Sequence, residues 1–186
     1  MSARTSDSGA SGGGDLDFES LVELHYAALY RFALSLTRSE SDAGDLVQDT
    51  FLTWASKGHQ LREASKVKTW LFTALHRKFL MSRRHESRFP HLEISHVETE
   101  LPAIEPHTLN HLDAPAVLQL LSRVDPQYQA VIALFYLEDY SYNEIATVLE
   151  IPLGTVKSRL ARGLTQLKEL VRRASAPGQS PEQSTS

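Results

Sequence analysis

Apolar residues recur along this chain at three- and four-residue spacings, and no stretch shows the strict alternation of a half-buried strand. The helical spacing predicts seven helices, over Phe18 to Leu36, Ser41 to Ala55, Lys66 to His85, Pro115 to Leu121, Pro126 to Leu137, Ser141 to Leu149 and Gly154 to Arg173. Start signals flank several of them. Ser39 with Asp42 and Ser141 with Glu144 fit capping boxes, and Pro115 and Pro126 follow Asp113 and Asp125 as first-turn prolines. The opening "MSARTSDSGASGGG" and the closing "SAPGQSPEQSTS" hold too few apolar groups to offset their ordering entropy and are expected to be disordered. Residues 89–112 carry Pro90, Pro102, Pro106 and four glutamates with little periodicity, which fits a flexible linker. The pattern thus predicts an all-α protein: a tail over 1–15, a helical domain over 16–88, a linker over 89–112, a second helical domain over 113–174 and a tail over 175–186.

In the last predicted helix, Val156, Leu160, Leu164, Leu167 and Val171 fall on one narrow stripe that must pack inward. Ser158 and Arg162 point away from it, with Thr155 and Arg159 on one outer flank and Lys157 on the opposite shoulder. A capped helix from Ser141 and a short break at Glu150 to Pro152 precede it, which makes a helix-turn-helix whose second helix would enter the major groove near its N-terminus. Arginine can form paired bonds to guanine O6 and N7, while Lys or Ser anchors phosphates. An isolated basic cluster would read equally well as a solvated face. The cap, the short turn and the confinement of the cations to the outer face favour DNA.

The third predicted helix buries Leu71, Phe72, Leu75 and Phe79, and lines up Lys66, Thr73, Arg77 and Arg84 on the other side with Trp70 beside them. A cationic track with an aromatic suits single-stranded nucleic acid, where each stacked base contributes about 1–3 kcal/mol. Equally, Trp70 reads as a partly buried packing residue. The second predicted helix turns Val47, Phe51 and Trp54 inward and leaves Asp42, Asp45, Asp49 and Thr53 outside, with Leu46 exposed among them. An apolar residue ringed by carboxylates is either an anchor for a basic protein surface or part of a solvated acidic face. Gly44 in this helix costs about 1 kcal/mol relative to alanine.

The formal charge is −4, but it is unevenly placed. Residues 57–88 hold 9 Lys/Arg against 2 Asp/Glu and residues 154–174 hold 6 against 1, while 89–153 hold 1 against 10. Two basic blocks imply two polyanion-facing surfaces, and because screening acts over about 8 Å at physiological salt, the acidic stretch is expected to lie too far off to cancel them. With no cysteine there is no disulfide and no thiolate metal site. The longest uncharged apolar stretch, Pro126 to Leu137, is too short to span a bilayer, and the N-terminus lacks a signal pattern, so a cytoplasmic protein without membrane insertion is expected. His107 and His111 lack the glutamate that a zinc-protease motif places after its first histidine, and no phosphate-cradling loop occurs. No enzyme activity, cofactor or metal is expected.

Three segments in order, "DAGDLVQDTFLTWA" (42–55), "KVKTWLFTALHRKFLMSRR" (66–84) and "YSYNEIATVLEIPLGTVKSRLARGLTQLKEL" (140–170), resemble the extracytoplasmic-function sigma factors of bacterial RNA polymerase. The likeness spans roughly residues 18–172. It implies that Asp45, Leu46, Gln48 and Asp49 dock on core RNA polymerase, with Phe51 as internal support. It implies that Lys66, Lys68, Trp70, Arg77 and Lys78 open the minus-ten promoter element and hold its non-template strand. Thr155, Lys157, Ser158, Arg159 and Arg162 match the positions that read the minus-thirty-five element, and the linker would run through the polymerase toward the RNA exit path. An anti-sigma factor could hold both domains and cover both DNA surfaces. Glu150 stands where the family usually has glycine, so the turn either avoids positive φ or carries about 1–2 kcal/mol of strain. Gly44 replaces a usual acidic residue. The competing reading is a helix-turn-helix repressor or activator that binds duplex DNA unaided as a dimer, without polymerase docking.

Overall fold

The structure is a computed structural model that describes residues 18–61, 63–86 and 114–175; the tails and linker expected from the sequence lie outside these, apart from Ser175. The described residues form seven α-helices and no strand: α1 (Phe18–Thr37), α2 (Glu40–Lys57), α3 (Val67–Glu86), α4 (Ala114–Leu121), α5 (Pro126–Tyr136), α6 (Tyr142–Leu149) and α7 (Leu153–Ser175). Short 3₁₀ turns at Gly58–Gln60 and Ala64–Lys66 join α2 to α3.

Helices α1 to α3 pack as an N-terminal lobe around Leu29, Phe32, Val47, Leu71, Phe72 and Leu75, all fully buried. Phe32 and Phe72 lie 5.3 Å apart at its centre. Helix α2 starts at Ser39, whose hydroxyl accepts from the Asp42 backbone N–H at 3.3 Å; with aspartate at that position the return half of the box is not made. At its other end the Trp54 indole lies over Gly58, where a Cβ would stand 2.5 Å from the ring.

Helix α5 is the axis of the C-terminal lobe. Val131, Ile132, Ala133 and Leu134 are all buried, so the helix is enclosed on every side, as its uninterrupted apolar run requires. The buried Gln129 donates through Nε2 to Leu121 O and Val124 O, both at 2.9 Å, which satisfies the carbonyls of the α4–α5 turn. The helix-turn-helix follows: a full capping box at Ser141 and Glu144 starts α6, and α6 ends at Glu150 in left-handed backbone, φ 56° and ψ 43°. The strained alternative for the turn is therefore the one adopted.

The lobes do not stand apart. Helix α1 packs against α4 and α5, α3 packs against α6, and one hydrophobic core runs through both. Arg31 on α1 donates to both carboxylate oxygens of Glu138, at 3.1 and 3.2 Å, and Phe72 meets Tyr140 at 5.3 Å.

Candidate nucleic-acid interface

On α7, Val156, Leu160, Leu164 and Leu167 are buried as the helical spacing requires. Thr155, Lys157, Ser158, Arg159 and Arg162 are all half-buried, so this face is less open than that of an isolated helix-turn-helix. The Ser158 hydroxyl donates to Thr155 O at 3.1 Å. Arg159 departs furthest from the open flank expected of it. Its Nε is buried without a hydrogen-bond partner among the described residues, burial lowers its pKa, and its charge bears on His76 of α3. It lies within electrostatic reach of Tyr128 on α5 as well as His76 on α3, neighbours that a helical wheel does not show.

On α3, the expected track is present but already engaged. Lys66 is exposed and pairs with Glu63 at 2.8 Å. Lys68 donates to Glu138 O at 3.3 Å and lies 4.5 Å over the Tyr140 ring. Arg77 forms a fork with Glu150, Nε to Oε2 at 2.8 Å and Nη2 to Oε1; this bond holds the Glu150 carboxyl below its ordinary range and raises the arginine. Lys78 is half-buried, 3.7 Å from Asp49 of α2. Trp70 is half-buried and edge-on to Trp54 at 5.1 Å, yet it also lines a groove of about 860 Å³ with Lys57, Thr73, Arg77 and Lys78, which Glu150 borders from the other lobe. Packing and groove-lining thus coexist at Trp70. The Arg84 side chain lies outside the described residues.

On α2, Asp45, Gln48 and Asp49 are exposed. Leu46 is not the exposed anchor expected from the wheel, since it is half-buried and packs on the core; Leu52, 60% exposed and one turn beyond Gln48 and Asp49, is the open apolar residue of that face. A smaller groove of about 460 Å³ runs alongside, lined by Asp42, Asp45, Leu46, Asp49 and Lys78.

Residues 21–89 match the family model of Sigma-70 region 2, and residues 115–167 that of Sigma-70, region 4. The ECF RNA polymerase sigma factor SigL of Mycobacterium tuberculosis is 32% identical over 164 residues, covering 87% of this chain and 92% of that protein. The chain belongs to the extracytoplasmic-function sigma factors. The RNA polymerase sigma factor YlaC of Bacillus subtilis is 28% identical over 155 residues, covering 81% of the sigma factor described here and 90% of YlaC. Among solved structures, the sigma factor RpoE of Bartonella quintana in complex with the anti-sigma factor NepR superimposes with a TM-score of 0.64 at 25% identity, over 85% of this chain and 98% of RpoE. CnrH in complex with the cytosolic domain of CnrY gives 0.61 at 25% identity, over 87% and 92%.

Three residues of this sigma factor that border the candidate surfaces carry no clear sequence signal. Glu138 and Tyr140 follow α5 outside any periodic stripe, and His76 sits on α3 between the buried and cationic faces. Leu52 could have been found, because it repeats the Asp45 position two turns on. Burial pushes His76 down to about 4, with Arg159 adding to the shift, and burial pushes Glu138 up to about 7 against the pull of Arg31 and Lys68. No helix among the described residues is long and apolar enough to cross a membrane.

Proposed function

We propose that this sigma factor docks on core RNA polymerase through Asp45, Leu46, Gln48 and Asp49, assisted by Leu52. The cations of α3, with Lys66 and Trp70, hold the melted non-template strand of the minus-ten element, and the first turns of α7 read the minus-thirty-five duplex. Region 2 would span residues 16–88 and region 4 residues 113–174. The supporting observation is the separation of the three faces: open carboxylates on α2, a cation-lined groove between α2 and α3, and half-buried cations at the start of the second helix of a helix-turn-helix. Arginine forks and lysine charges there suit guanine edges and phosphates, and a base taken from the duplex, at a cost of a few kcal/mol, could be held beside Trp70. The protein would act in the cytoplasm, catalyse no reaction itself, and be a target for an anti-sigma factor, as RpoE is for NepR.

Initiation assays with core polymerase test this reading. Purified protein should direct initiation at cognate promoters, and promoter affinity should be weak alone and strong with core enzyme. Arg162→Ala should cost about 1–3 kcal/mol and relax sequence preference, while Lys157→Ala should weaken binding across sequences and reduce the log–log salt slope by about one. Failure of folded protein to direct initiation at any promoter would overturn the assignment, and tight unaided binding to a palindrome would point to a repressor.

A further inference from the structure

Helices α2 and α3 enclose two grooves of opposite character. The first half of α2 faces the last turns of α3 across the smaller one, where Asp42, Asp45 and Asp49 stand over Leu36, Leu46 and Phe79. The second half of α2 faces the first turns of α3 across the larger one, where Lys57, Lys66 and Arg77 stand beside Trp70. Among the described residues, Lys78 and Met81 line both. Met81 is 68% exposed and carries no charge, so the charged part of this partition is Lys78, whose Nζ lies 3.7 Å from Asp49 Oδ2.

Docking on polymerase draws on Asp49, holding the strand draws on Lys78, and in the free protein each is occupied by the other. The two side chains differ in reach. An ammonium on a flexible four-carbon stem can serve either groove from one Cα, whereas the short aspartate stays on its own face. They differ in access as well, since Asp49 is exposed and Lys78 half-buried. A basic surface that approaches α2 therefore meets the carboxylate first, and it brings apolar contact at Leu46 and Leu52 that the internal pair lacks.

We propose that Lys78 is a relay between the two binding faces: Asp49 holds it in the free protein, core polymerase displaces it by taking that carboxylate, and it turns into the cationic groove to meet a phosphate of the melted strand. This relay rests on the reading that α2 faces polymerase and that the larger groove holds the strand. Linkage makes it reciprocal. A strand that takes Lys78 leaves Asp49 open, so each partner raises the affinity of the other by one common factor. For an ion pair this open to solvent that factor is about threefold.

The test measures two affinities on the full chain. One is for core polymerase; the other, at low salt, is for an oligonucleotide of the non-template minus-ten strand from a promoter that the protein directs. Asp49→Asn should tighten oligonucleotide binding by the free protein about threefold, and should gain nothing when Lys78→Met is also present. Asp45→Asn, one turn away, makes the same change of charge and should gain less. Lys78→Met should weaken oligonucleotide binding yet tighten core docking about threefold, because it frees Asp49. Lys78→Arg keeps the charge and should return docking to the wild-type level. A lysine that merely braced α2 against α3 would act the other way, and its loss would weaken docking. Docking unchanged or weakened by Lys78→Met, an equal gain from Asp45→Asn, or additive effects of Asp49→Asn and Lys78→Met would overturn the relay alone. Core docking indifferent to Asp49→Asn, or strand binding indifferent to Lys78→Met, would overturn the assignment of the faces and the relay with it.

Discussion

Gly44 and Gly163 both sit inside helices, for opposite reasons. A Cβ on Gly44 would meet nothing within 4 Å, whereas one on Gly163 would lie 2.6 Å from Ile132 Cδ1 and 2.8 Å from Tyr128 Cβ. The first glycine is a tolerated weakness and the second sets how closely α7 approaches α5. Gly44→Ala should therefore stabilise the fold by up to about 1 kcal/mol. Gly163→Ala should destabilise it by about 1–3 kcal/mol through overpacking. Urea denaturation midpoints of the two variants check both signs. At this scale the sequence was an uneven guide. A helical wheel gives the angle at which a side chain leaves its axis but not the breadth of the neighbour it meets, which is why Leu46 was placed outside and Arg159 on an open flank.

Elements were far more legible, because spacing and caps act over one or two turns. Each helix lies within two residues of its expected limits. The start of α5 shows where this stops: Asp125 is the cap residue, but its carboxylate accepts from Gln166 Nε2 of α7 at 2.8 Å instead of capping its own helix, and its N–H donates to Gln166 Oε1 at 3.1 Å. A partner 41 residues away won over the local one. At α6 local chemistry prevails, since Ser141 and Glu144 bond reciprocally. Ser141→Ala should cost about 1 kcal/mol in thermal or urea unfolding. Bonds from the Ser141 hydroxyl and backbone hold the Glu144 carboxyl below its ordinary 4.5, so this support is complete above that pH and fades as pH falls below it. The Ala variant should consequently lose less stability on acidification than the wild type.

Across the whole molecule, the seam between the lobes was the least legible feature, because nothing in a charge count says that residues on either side of 89–112 will meet. The positions could be read, as with Glu150 in a glycine turn, but the partner Arg77, 73 residues earlier, could not. Two buried groups at the seam respond to pH in opposite senses. Glu138, raised to about 7 in an environment shared with Arg31, Lys68 and Asp139, contributes stability fully below its ordinary 4.5 and ceases to do so as pH rises through about 7. His76, lowered to about 4 beside Arg159 and Glu150, contributes stability above its ordinary 6.5 that is lost as pH falls toward 4. Between those limits the two oppose each other, so the stability of the wild type should change little. Glu138→Gln removes one of them, and its stability to urea should fall progressively as pH falls below 6.5.

Arg77 has a single guanidinium and two claimants, Glu150 within the molecule and a phosphate outside it. Counterions weaken both attachments, so ionic strength loosens the internal competitor while it weakens the external one. A Glu150→Gln variant, deprived of the internal competitor, should then lose promoter affinity with added salt more steeply than the wild type.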